Sequence, residues 1–129
     1  MIIKLQKRAV RIISLAPYKA HTSDLFNNLN ILVMSKIYVY HVLVLMFKFN
    51  KNMLPSVTND LFTISVNVYN TRQSNKLYVP VGKTSAIYKT IRFKGVNLWN
   101  SFSTTLDVTC SIQTFKRNLR IHLLNNNLL

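Results

Sequence analysis

Residues 31–49 read ILVMSKIYVYHVLVLMFKF, the longest apolar run in the chain. At 19 residues the run far exceeds a strand of about 5 or 6, so its length outweighs its β-branched content and it reads as a helix. Stepping about 100° per residue, Asn30, Lys36, His41, Lys48, Lys51 and Asn52 fall within about half of the circumference. Val39, Val42, Leu43, Met46, Phe47 and Phe49 fill most of the rest. The pattern is that of a core helix with one wet side. Its charge-free part, Ile37 to Phe47, covers 11 residues and includes His41, whereas crossing a bilayer takes about 20, so burial within protein is expected.

The segments on either side are shorter and amphipathic, and they need something to pack on. Upstream, Ile2, Leu5, Ala9, Ile12 and Ala16 follow helical spacing, with Lys4, Lys7, Arg8 and Arg11 on the opposite face. Pro17 is expected to close this helix, because proline cannot continue the ladder and disfavours helical geometry at Ala16. Four cations on one face with no acid between them suit a phosphate backbone, and equally a solvated face. Met1 to Ala20 is basic and acid-free like a transit peptide, but charge interrupts it too often for a secretory segment. Thr22 or Ser23 can cap a short helix through Leu29, with Asp24 in its first turn.

Downstream, the long helix should run to about Lys51, and Asn59 to Phe62 can form one further turn. Thr63 to Val68 alternates like a strand. Tyr69 to Ser74 is polar and turn-prone, and Arg72 in it offers a planar fork to a carboxylate, phosphate or carbonyl. Lys76 to Val81 and Ala86 to Phe93 read as the two arms of a basic hairpin turning at Val81-Gly82-Lys83, with Gly95 breaking the second arm. Tyr78, Tyr88 and Phe93 are candidates for stacking on bases, although aromatics in short strands more often serve a core. Val96 to Phe102 then forms a short helix with Trp99 as a core anchor. Ser111 caps a last helix with a seam of Ile112, Phe115, Leu119 and Leu123 and a basic flank of Lys116, Arg117 and Arg120, ended by Asn125 to Asn127. The expected fold is therefore mainly α with a small β-hairpin, a small helical bundle around the long central helix, in a single domain over residues 1–129.

Composition bounds the chemistry. The 17 lysines and arginines face only Asp24, Asp60 and Asp107, with no glutamate, for a net charge of +14. Such a surface attracts polyanions, so nucleic acid or an anionic face is the expected neighbour. Three isolated aspartates do not supply the clustered carboxylates of two-metal phosphoryl transfer or the pair of a glycosidase. Gly82 and Gly95 are the only glycines, so no Walker loop or nucleophile elbow can be written. Cys110 is the only cysteine, which excludes an intrachain disulfide and a thiolate metal cluster and fits an intracellular location, nuclear or cytoplasmic. His21, His41 and His122 lack the close spacing of a helical metal site, and nothing marks Cys110 with His122 as an activated nucleophile and base. Neither a catalytic residue nor a cofactor is expected.

Six stretches occur in an order that resembles the C-terminal region of non-LTR, LINE-type retrotransposon reverse transcriptases of the jockey and chicken-repeat kind. They are LQKRAVRII at 5–13, His21 followed by LFNNLNIL at 25–32, Leu54-Pro55, YNTRQS at 69–74, GVNLWNS at 95–101 and FKRNLRIHLL at 115–124. Together they span nearly the whole chain. The family's usual WNSLP stands here as WNSFS, with Phe102 and Ser103, which puts the local turn in question. No position matches the family's catalytic tetrad of Phe or Tyr, Ala, Asp, Asp, so no catalytic residue carries over.

The resemblance implies a noncatalytic nucleic-acid-binding remnant working near template RNA or target DNA. Lys4, Lys7, Arg8, Arg11, Arg72, Lys89, Arg92, Lys116, Arg117 and Arg120 are its candidate phosphate contacts. It also implies that a helix preceding the first one in the family is missing here, so the first helix's apolar face should lack packing surface and favour self-association. The rival readings are an unselected fragment, a protein-interaction module, and a peripheral membrane helix over residues 2–16.

Overall fold

A computed structural model describes residues 2–64, 76–103 and 105–125, with the side chain of Asn59 left aside. The described residues are mainly helical: α1 (Ile2–Ile13), α2 (Ser23–Asn28), α3 (Met34–Asn50), α4 (Ile91–Phe102) and α5 (Ile112–Asn125), with short 3-10 helices at Ser56–Leu61 and Ile87–Lys89. Contacts group the chain into two compact units, Met1–Tyr40 with Arg117–Leu129, and His41–Lys116.

In the first unit the core is small: Val10, Phe26, Val39, Leu119 and Leu123, with Thr22 the one buried polar residue among those described. Residue 22 is the N-cap of α2, but its hydroxyl makes no capping bond, and Ser23 Oγ instead meets Asp24 Oδ1 at 3.5 Å. Two clamps tie this unit together. Gln6 Nε2 donates to Leu32 O at 2.8 Å while its Oε1 accepts from Met34 N–H at 2.9 Å, so one amide satisfies both partners at the start of α3. Arg120 on α5 donates through Nη2 to Asn30 O at 3.1 Å, at the carbonyl end of α2.

The second unit is built on the C-terminal part of α3. Leu43, Met46 and Phe47 are buried outright, with Val42 and Val44 beside them; of the expected wet side His41 is exposed, while Lys36 and Lys48 are half-buried. Phe47 stacks on Phe115 of α5 at 4.2 Å between ring centroids, Trp99 of α4 lies 6.4 Å from the same ring, and Phe49 meets Phe62 edge-on at 4.9 Å. Trp99 is thus the expected core anchor.

The basic hairpin is not what the structure shows. Ile64 and Leu77 form an isolated antiparallel bridge, supported by Tyr78 N–H to Thr63 O at 2.9 Å, and the second arm is helical. Ala86 to Phe93 covers only eight residues, a length at which period two and period 3.6 compete. The helical face Ile91, Gly95, Trp99, Phe102 extends further and finds a surface to bury against. Gly95 therefore sits inside a helix rather than breaking a strand. A Cβ there would come within 3.2 Å of Met46 Sδ and 3.6 Å of Val42, so the missing side chain is what lets α4 lie against α3.

Asn100, one turn on, donates Nδ2–H to Leu77 O at 2.9 Å and accepts Leu77 N–H at 3.0 Å, completing for that residue the ladder a strand would have supplied. Ser111 caps α5 as expected, accepting Thr114 N–H at 3.3 Å.

Three helices end in one way. Leu15, Asn30 and Asn52 have φ of 51°, 52° and 53°, and each is flanked by the paired bonds of a Schellman turn. At α1 these are Ala16 N–H to Arg11 O and Leu15 N–H to Ile12 O; at α2, Ile31 N–H to Phe26 O and Asn30 N–H to Asn27 O; at α3, Met53 N–H to Lys48 O and Asn52 N–H to Phe49 O. Consequently α1 stops at Ile13, before the expected closure at Pro17, and Ala16 is outside the helix. The unusual member is Leu15, an L-residue with a large side chain in left-handed geometry and 94% exposed.

Candidate nucleic-acid interface

The wheel of α1 divides into three sectors. Gln6 and Val10 face the first unit, and Val10 is its one buried residue. Lys4, Lys7 and Arg8 stand exposed on the second sector, with Arg11 half-buried at its edge. The third sector carries Ile2, Leu5, Ala9 and Ile12, and here the structure departs from a packed amphipathic helix: Ile2, Leu5 and Ile12 are 60%, 58% and 65% exposed. The apolar face thus lacks packing surface, while a glutamine and one valine do the docking.

Among the sequence candidates, the arginines and lysines divide by task. Arg11 Nε donates to Ala20 O at 3.0 Å and its guanidinium lies 6.0 Å from the Tyr18 ring centre, which folds the post-helix turn back on α1. Arg92 donates through Nε to Leu61 O at 2.9 Å and through Nη2 to Asp60 O at 3.0 Å, fastening α4 to the carbonyl end of the first 3-10 helix. Arg120 is the Asn30 clamp. A planar fork suits carbonyl groups at helix ends as well as phosphates. Lys4, Lys7, Arg8, Lys89 and Arg117 are exposed and Lys116 is half-buried. Arg72 and its YNTRQS segment lie outside the described residues.

Lys4, Lys7, Arg8 and Arg117 belong to the first unit and Lys89, Arg92 and Lys116 to the second. The α1 group forms a single stripe, along a helix about 18 Å long. Even if every aspartate took one cation, 14 would remain. In the second unit Tyr88 is exposed and packs edge-on against Phe93 at 4.8 Å, while its hydroxyl reaches Gly82 O at 3.4 Å.

Gln6, Asn100 and Gly95 were not singled out for these roles by the sequence. The available signal was polar or small residues lying on a helix's inward face. Each belongs to one of the six resembling stretches, as do Asn30 and Arg120, so these stretches supply clamps and a close approach.

Other chemistry is sparse. A cavity of about 140 Å³ in the first unit is lined by Ser23, Phe26, Ile31, Leu32, Lys36 and Leu124, well below the roughly 300 Å³ at which ligand pockets begin. Asp107 holds the turn before α5: its Oδ1 accepts the Thr109 hydroxyl at 2.6 Å and the Thr109 N–H at 2.8 Å. Those two bonds, with Lys51 adding a smaller favourable field, hold its carboxyl below the usual range against a slight opposing desolvation. Cys110 Sγ donates to Asp107 O at 3.1 Å. His21 and His41 are exposed and His122 half-buried. Among the described residues no three His, Cys, Asp or Glu side chains are grouped to hold a metal, and no helix is long and apolar enough to cross a membrane.

No protein-family model matches the chain, and no curated protein or solved structure matches it either. The reverse-transcriptase resemblance therefore rests on its six motifs.

Proposed function

We propose that the chain is a noncatalytic nucleic-acid-binding remnant of a non-LTR retrotransposon reverse transcriptase, contacting phosphates of template RNA or target DNA. The observation that carries this reading is the exposed Lys4, Lys7, Arg8 stripe on α1, a helix with no acidic residue of its own in a chain of charge +14. A duplex presents one phosphate charge per about 1.7 Å of axis, so a rigid cationic row along a helix meets several at once. Lys89, Lys116 and Arg117 add to the field, whereas Arg11, Arg92 and Arg120 contribute charge while held by carbonyls.

Binding of this kind releases counterions. If about five phosphates are neutralised, log K falls with log salt at a slope of roughly −4. Titrations against single-stranded RNA, single-stranded DNA and duplex DNA, on protein first shown by circular dichroism to be folded, provide the test. Replacing Lys4, Lys7 and Arg8 together by alanine should flatten the duplex slope by about 2.7, since each phosphate contact is worth about 0.9. A salt-independent affinity, or no affinity in the folded protein, overturns the reading.

A further inference from the structure

The exposed apolar sector of α1 has a spacing of its own. Ile2, Leu5, Ala9 and Ile12 are separated by 3, 4 and 3 residues, the a/d seam of two heptads, which is narrower than the face of an ordinary surface helix. From this we propose that α1 pairs antiparallel with α1 of a second copy of the chain, seam against seam.

The pattern is self-complementary in that direction. In antiparallel register Ile2 meets Ile12 of the other copy and Leu5 meets Ala9, so both ends of the seam pair large with large and both inner layers pair large with small. A parallel pair would instead set Ala9 against Ala9 and leave a gap between two backbones held apart by Leu5 and Ile12. A bilayer surface would need apolar area but no such register. The seam is open: Leu5 and Ile12 are more than half exposed, and Gln6 and Val10, which dock α1 onto its own unit, lie on another sector.

Two limits follow from area and charge. A helix about 18 Å long hides only a few hundred Å² per copy, short of the roughly 800 Å² per partner of a stable complex, so the pairing is weak and concentration-dependent. Arg8 borders the seam and both chains carry +14, so the copies approach against their own charge. Salt therefore strengthens the pairing, opposite in sign to its effect on nucleic-acid binding.

Sedimentation equilibrium over a wide range of protein concentration, at about 0.1 M and about 1 M salt, is the experiment; the Debye length falls between them from about 10 Å to about 3 Å. The average mass should rise from one chain toward two with concentration, and further at high salt. Leu5→Ala, which sets alanine against alanine in both inner layers, should weaken the pairing severalfold, Ala9→Leu alone should not weaken it, and the double variant, which restores one large and one small side chain in each inner layer, should recover what Leu5→Ala loses. Both positions are exposed, so circular dichroism should be unchanged in all three. A single-chain mass under every condition, or a double variant no better than the weaker single one, overturns the proposal. So does a chain that stays monomeric in solution yet binds vesicles containing anionic lipid through Leu5.

Discussion

α1 and α3 make an instructive pair. In sequence α1 has the cleaner amphipathic pattern, with apolar and basic residues on opposite faces, whereas α3 is mostly apolar, with its few polar positions on about half of the circumference. Their burial is the reverse. Leu43, Met46 and Phe47 of α3 are at most 1% exposed, while the apolar stripe of α1 stands in solvent. Periodicity reports which residues share a face, and burial depends on whether another element supplies the opposing surface. α3 has Phe115, Trp99 and Gly95 near it; α1 has Gln6 and Val10 to hold it, and its stripe stays exposed, with no opposing surface among the described residues.

The largest expected effect puts that contrast in energetic terms. Phe47→Ala removes a ring stacked on Phe115 and leaves a cavity, so it should cost about 3–5 kcal/mol of unfolding free energy. Leu5→Ala, made in α1 at low protein concentration, should stay within about 0.5 kcal/mol. Urea denaturation of the two variants checks both, and similar losses would mean that the α1 stripe is packed after all.

Next in size is the attachment of α1. Gln6→Ala leaves Leu32 O and Met34 N–H without their shared partner, a loss of about 1–2 kcal/mol because the site is only partly buried. Since α1 contributes a single buried residue, the loss should appear as faster amide hydrogen exchange along Ile2–Ile13 with little change in α3. Uniform acceleration through α3 would show the two helices unfolding together.

How far the sequence was legible follows from the same contrast. Elements long enough to show a 3.6 period could be placed: α3 over 34–50, overlapping the run at 31–49, α5 with its Ser111 cap, and the Trp99 helix. The expected second hairpin arm failed because eight residues cannot distinguish a strand from the entry to a helix, and because Gly95 reads as a breaker until Met46 is seen beside it. At the candidate interface the cationic residues of α1 were legible from helical spacing. The use of Arg11, Arg92 and Arg120 on carbonyls was not, since those acceptors lie 9, 32 and 90 residues away in sequence and composition carries no record of them.

A smaller effect, of stabilising sign, separates the ends of the two helices. Both close with a residue in left-handed geometry, Leu15 after α1 and Asn52 after α3. Asparagine tolerates that region through its short polar side chain, and leucine does not. Leu15→Gly should therefore raise stability by roughly 0.5–1 kcal/mol, the relief of strain being partly offset by the freer unfolded chain, while Asn52→Gly should give a few tenths at most. Thermal melts of the two variants check the order, and equal gains would mean that the side chain at these turns is immaterial.

The smallest effect concerns acid, and it can be kept apart from the helix comparison because neither α1 nor α3 contains an acidic residue. Asp107 is the group to watch on the acid side. Its folded carboxyl titrates below the usual value of about 4, so the unfolded chain takes up the proton first as pH falls. The stability it contributes is thus fully present above about pH 4 and is lost as pH falls through the lower, folded value. Asp107→Asn keeps an oxygen for Thr109 but cannot titrate, so its stability should change less than that of the parent chain on going below pH 4, and the two curves should converge in strong acid. Because the side chain is exposed, solvent screens most of this term, and the divergence should be the smallest of the series. Chemical denaturation at several pH values from neutrality downward measures it, and parallel curves through the window would show that the Thr109 bonds do not favour the carboxylate.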